Sequence, residues 1–152
     1  MTRSEAHLWG TPERAIHDLG VLWHSLACRE WTTLAVVSPD DNAGASRLAR
    51  ALLEMAGAHH AVVEARDVSE FKLKVSAATG RPEGTLAASP PPLRFLLPID
   101  SVLDNPHAPE LLALCDTAII LLEKGRSRVP DAVSTAGLVG QERLIGAVLD
   151  SP

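Results

Sequence analysis

Tyrosine is absent from the 152 residues, and the other aromatics amount to Trp9, Trp23, Trp31, Phe71 and Phe95. A chain without tyrosine cannot be a tyrosine autokinase, whatever else it does. Lysine is almost as scarce: Lys72, Lys74 and Lys124 stand against eleven arginines, and the net charge is −5. That balance excludes the basic patch a nucleic-acid interface requires, so the tryptophans are not a base-stacking platform. Cysteine occurs twice, as Cys28 and Cys115, with no CxxC or Cys/His ligand spacing. Both lie in apolar surroundings and read as buried free thiols in a reducing compartment. No apolar run approaches the ~18 residues of a membrane span, and Met1–His7 lacks the hydrophobic core of a signal peptide. The expectation is a cytoplasmic protein without direct membrane insertion.

What is present suits a folded domain. Hydrophobic residues make up 46% and charged residues 22% of the chain, which separates it from disordered sequences. The length suits one domain, 1–152, with residues 1–11 as a flexible N-terminus. Ile16, Leu19, Trp23 and Leu26 recur at helical spacing, and Thr11-Pro12 supplies a start signal, so Pro12–Ala27 reads as an amphipathic helix. Thr33–Val37 is a β-branched run without alternation, as in a strand buried on both faces. A helix with Leu48, Leu52 and Met55 on one side then stops at Gly57. Ala61–Ala65 reads as a short strand and Glu70–Ala78 as a helix with Phe71 and Val75 inward. Residues 80–92 carry the breakers Gly80, Pro82, Gly84 and Pro90-Pro91-Pro92 and read as an irregular connection. Further on, Arg94–Ile99 is a strand, Ala108–Leu114 a helix, Ala118–Leu122 a strand, Pro130–Val139 a helix and Leu144–Leu149 a strand. Strands alternating with helices predict a doubly wound α/β fold with a mainly parallel sheet of about five strands.

The segment Ser38-Pro39-Asp40-Asp41-Asn42-Ala43-Gly44-Ala45-Ser46 lies between the first strand and the next helix. Strand, small-residue loop and helix start form the layout of a phosphate-binding P-loop, in which backbone N–H groups receive an anion. The chemistry of such a loop is degraded here. Ala45 stands where GxxxxGK[ST] has lysine, and Pro39 where it has its first glycine. A lost lysine–phosphate contact is worth roughly 1.5–3 kcal/mol, and phosphoryl transfer depends on such charge stabilisation. Asp40 and Asp41 would repel phosphate. They read either as carboxylates filling the helix N-terminus themselves or as a solvated acidic turn.

Three further segments run in a known order: Ile99–Asp104, Glu110–Arg126 and Arg143–Leu149. With the first helix, first strand and loop, they resemble the cytoplasmic domain of bacterial tyrosine kinases of polysaccharide synthesis, among the ParA/MinD-like P-loop ATPases. The resemblance covers about residues 12 to 150. It implies that Asp100 occupies the Walker B position and that Ser46 is the metal-holding hydroxyl of active relatives. It also implies that Glu64-Ala65-Arg66 replaces the Asp-x-Asp of the metal site, so Glu64 is a lengthened acid and Arg66 a cation in place of an acid.

The function that follows is that of a non-catalytic, P-loop-like binding, assembly or regulatory partner in exopolysaccharide or cellulose synthesis and secretion. Neither catalytic residues, nor a metal, nor a cofactor is expected. The implied partners are a second copy of the chain and a membrane-associated polysaccharide synthase or export subunit, which would make the protein peripheral to the inner membrane. Ile16, Leu19, Trp23 and Leu26 and the loop are the candidate interface. Two alternatives remain: a divergent ATPase or kinase-like enzyme borrowing a cation such as Arg47, Arg50 or Arg126 from another subunit, and a sensor binding some other anion at Gly44–Ser46. His59-His60 reads as a plain loop pair, because adjacent side chains diverge and no third ligand is near.

Overall fold

A strand with no polar interruption offers no face to water, and Thr33–Val37 (β1) accordingly lies in the middle of the sheet, buried at every position. The computed structural model describes residues 12–79 and 93–150, with side chains of the first helix from Leu19 onward. Pro12–Ala27 forms α1, Gly44–Ala56 α2, His60–Val62 β2, Val68–Thr79 α3 and Arg94–Ile99 β3. A 3-10 turn at Val102–Asp104 leads to Ala108–Ala113 (α4), Thr117–Glu123 (β4), Val129–Val139 (α5) and Leu144–Asp150 (β5). The expectations for residues 1–11 and 80–92 lie outside the described residues.

The five strands form one all-parallel sheet in the order β2-β3-β1-β4-β5. The α/β class and doubly wound arrangement read from the sequence are therefore present. In β1 alternate residues go to opposite faces. Leu34 and Val36 pack with Leu19 and Leu26 of α1 and with Leu48, Ala49 and Leu52 of α2. Ala35 and Val37 pack with Phe71 of α3, Leu111 and Leu112 of α4 and Val139 of α5. Two apolar layers thus sandwich the sheet, as a parallel sheet requires.

Several details differ from the sequence reading. The second strand is three residues, His60–Val62, and not Ala61–Ala65. Val63 N–H still bonds to Leu96 O at 2.9 Å, but beyond it the chain turns off the sheet. The strand at Arg94–Ile99 is internal, but β2 pairs with it only as far as Leu96, so Pro98 is matched by Val36 of β1 alone. At the opposite end of the sheet from the loop, Asp116 accepts the N–H groups of Thr32 and Thr33 at 2.7 and 3.1 Å and anchors the start of β1.

Cys115 is buried as expected, but Cys28 is exposed. Cys28 lies just past the last turn of α1, where Leu26 takes the core position instead. Burial, reinforced by the Asp116 carboxylate, pushes the Cys115 thiol up to about 12. With a disulfide-exchange reagent near pH ~8, where thiolate is the reacting form, one thiol per chain should react promptly. The second should react only at the rate of unfolding. Two equally fast thiols would contradict the burial of Cys115.

Candidate functional site

β1 delivers the loop at the carboxyl edge of the sheet. Ser38 is buried there, and its Oγ accepts the Asp40 N–H at 3.1 Å. The loop is then laced to the chain leaving β3. Ser38 N–H donates to Ile99 O at 3.0 Å, Val102 N–H to Ser38 O at 3.0 Å and Ser101 N–H to Asp40 O at 2.9 Å. Two non-glycine residues take left-handed conformations to make this fit, Ala43 at φ 60° and Ser101 at φ 47°. Such conformations typically cost 1–3 kcal/mol and persist only where neighbouring contacts fix them.

Gly44 opens α2 against a wall. A Cβ on it would lie 2.9 Å from Leu121 Cδ2 and 3.2 Å from both Asn42 Oδ1 and Glu123 Oε1. Gly44 therefore serves close packing on β4.

The anion expected by the first turn of α2 is supplied by the chain itself. Asp100, at the carboxyl end of β3, accepts the Ala45 N–H through Oδ1 at 2.8 Å. Its Oδ2 accepts the Ser46 N–H at 3.3 Å and the Ser46 hydroxyl at 3.0 Å. A carboxylate on the free N–H groups of a helix start satisfies donors that have no partner within the helix. The sequence reading left Asp40 and Asp41 as candidates for that task. The structure gives it to Asp100, while Asp40 accepts from the Ser127 hydroxyl and Asp41 is exposed.

A second group closes the other side of the loop. The Asn42 side-chain amide donates to Glu123 Oε1, and Asn42 Oδ1 accepts the Gly44 N–H at 3.3 Å. Glu123 is buried at 8% exposure, pairs with Arg126 at 3.2 Å, and donates its backbone N–H to Ser127 Oγ at 2.8 Å. Glu123 and Ser127 were not anticipated. The available signal was an acid ending an otherwise apolar strand at the same edge of the sheet as the loop.

The other candidates are spread around this core. Glu64 pairs with Arg50 at 3.0 Å and Arg66 with Glu70 at 3.4 Å. Glu64, Arg66 and Glu70 sit with Ser46, Asp100 and Lys74 around an open cleft of about 510 Å³. Lys74, helped by the Arg66 backbone N–H, holds the Glu70 carboxyl below its usual range. Arg47 reaches back to Asn42 O at 2.6 Å, and its Nε is buried without an acceptor among the described residues. The three arginines considered as donors to another subunit, Arg47, Arg50 and Arg126, are thus each engaged within their own chain.

The interface candidates on α1 fare differently. Leu19 and Leu26 are core residues, at 4% and 1% exposure, and present no surface to a partner. Their helical spacing marked the buried face of α1. Trp23 is half-buried, edge-on to Trp31 at 6.3 Å and to His60 at 5.1 Å between centroids. The side chain of Ile16 lies outside the described residues. His60 therefore opens β2 and packs among the tryptophans instead of lying in a loop, while His59 before it is exposed at φ 69°. Among the described residues no three histidine, cysteine or acidic side chains gather as metal ligands, and no helix is long and apolar enough to cross a membrane.

Chemically, the backbone donors at the start of α2 are committed to the Asp100 carboxylate. A phosphate arriving at Ala45 and Ser46 meets like charge at hydrogen-bond distance and must displace it. Compared with known proteins, the sequence matches no family model and no curated protein.

Proposed function

We propose that this chain is a non-catalytic relative of the P-loop ATPases that acts through protein contact, as a binding, assembly or regulatory partner. The observation that carries the reading is Asp100. Its carboxylate holds the backbone N–H groups of Ala45 and Ser46 and the Ser46 hydroxyl, the donors a nucleotide phosphate would need. Ala45 supplies no cation, and Arg66 is paired with Glu70 and not placed among metal-holding acids. The resemblance of the loop, Asp100 and the later segments to ATPases of polysaccharide synthesis supplies the setting. The proposed role is in exopolysaccharide or cellulose synthesis and secretion, beside a membrane-associated synthase or export subunit.

Calorimetric titration with Mg-ATP tests the non-catalytic reading. The expected result is no saturable heat up to millimolar nucleotide, that is, a dissociation free energy smaller than about 4 kcal/mol. A low-micromolar dissociation constant overturns the reading.

A further inference from the structure

We propose that His24 and Cys28, at the carboxyl end of α1, form a two-ligand site for a zinc ion. Cys28 Sγ lies 3.8 Å from His24 Nε2, and both residues are exposed. With α1 ending at Ala27, as the sequence reads, the thiol falls outside the helix and has no ligand spacing. In the structure the Cys28 N–H still donates to His24 O at 3.2 Å. The helical turn therefore runs on, and residues four apart on a helix are neighbours on its surface.

The separation is close to that of two ligands on one metal. With Zn–S near 2.3 Å and Zn–N near 2.0–2.1 Å at a tetrahedral angle, sulfur and nitrogen stand about 3.6 Å apart. The pair reaches ligand geometry with a shift of ~0.2 Å. As a hydrogen bond the same contact contributes little, because a thiol is a weak donor.

The donor set chooses the cation. Thiolate and imidazole suit zinc, whereas magnesium and calcium take oxygen ligands. The helix end adds to the attraction, since the carbonyl end of the 16-residue α1 carries partial negative charge. Arg29 and Glu30, the next two residues, are both exposed and cancel in charge. On binding, Cys28 gives up its thiol proton to solvent, and His24 coordinates through Nε2 with its proton on Nδ1. No third histidine, cysteine or acidic side chain joins the pair among the described residues. Two coordination positions therefore face outward, open to water or to a donor atom of a bound partner. The inference is independent of the loop: ATP binding would overturn the proposed function and leave this site standing.

Titration of the reduced full chain with cobalt(II), followed by displacement with zinc, tests the proposal, because thiolate ligation gives cobalt a near-ultraviolet sulfur-to-metal band. The expected result is a saturable band at one metal per chain, with zinc binding in the micromolar range, weaker than at a four-ligand structural site. Cys28→Ser should abolish the band, and buried Cys115 should not replace it. His24→Ala should weaken binding by about tenfold or more, since even loss of a group that only supports a ligand costs that much. Both positions are exposed, and circular dichroism verifies that each variant stays folded. Zinc should also slow the reaction of Cys28 with a disulfide-exchange reagent in the wild-type chain, and much less so in His24→Ala. Absence of the band at millimolar cobalt overturns the proposal, as does binding that His24→Ala leaves unchanged, which would mark adventitious metal on the thiol alone.

Discussion

Replacing Asp100 with alanine should destabilise the native state by about 3 kcal/mol, the scale of lost hydrogen bonds to a charged acceptor. The variant strips the Ala45 and Ser46 N–H groups and the Ser46 hydroxyl of their shared partner. Because Asp100 is only partly buried, water recovers some of the loss, which holds the figure below the sum of three such bonds. It is still a large share of the 5–15 kcal/mol typical of a domain. Asp100→Asn should fall between wild type and alanine, since it keeps one acceptor and turns an amide donor toward Ser46. Urea denaturation monitored by tryptophan fluorescence reads both changes. A loss below about 1 kcal/mol for the alanine variant would mean that water already serves the start of α2 and that Asp100 is incidental.

The largest expected effect belongs to Trp31. Trp31→Ala should cost about 4 kcal/mol, in the range for removing a buried tryptophan. Trp31 is 6% exposed, and its indole N–H donates to Leu26 O at 2.8 Å, tying the end of α1 to the edge of the sheet. The Arg94 guanidinium lies 4.7 Å above its ring, and Trp23 and His60 pack edge-on around it. Trp31→Phe keeps the apolar bulk and loses the N–H, so it should cost about 1 kcal/mol through Leu26 O alone. Near-identical midpoints for the alanine variant and wild type would show that α1 does not depend on this anchor.

The sequence was most legible where one local rule decided the outcome. α1 falls at Pro12–Ala27 as its apolar spacing and proline start predict, and the β-branched run gives β1 at Thr33–Val37. The same spacing was misleading about use. Leu19 and Leu26 formed a stripe that could equally face a partner or a core, and only the packing of α1 onto α2 and the sheet decides for the core. β2 came out shorter because a strand's length is set by its neighbour, and the chain leaves β3 after Val63.

The site was legible in outline only. The loop and Asp100 could be named, but their contact spans some 55 residues and depends on β3 lying beside β1. Asp40 and Asp41, adjacent in sequence to the helix start, were therefore the natural candidates, although the acid from the neighbouring strand has the better approach. The bonds of Asn42 to Glu123 and of Ser127 to Asp40 cross even longer separations, and no local pattern encodes them.

The placement of Asp100 also bears on whether such a loop could acquire nucleotide chemistry. Ala45 is fully buried in the apolar layer with Leu48 and Leu52, and Asp100 touches only its backbone N–H, so an ammonium introduced there would be desolvated without a partner. Removing Asp100 first would strip the start of α2 of its acceptor and lower stability with no compensating ligand. Each single step is therefore neutral or harmful alone, and Glu64 and Arg66 would still have to be rebuilt as metal-holding acids. A nucleotide site at this loop is therefore not reachable through single substitutions that each help on their own.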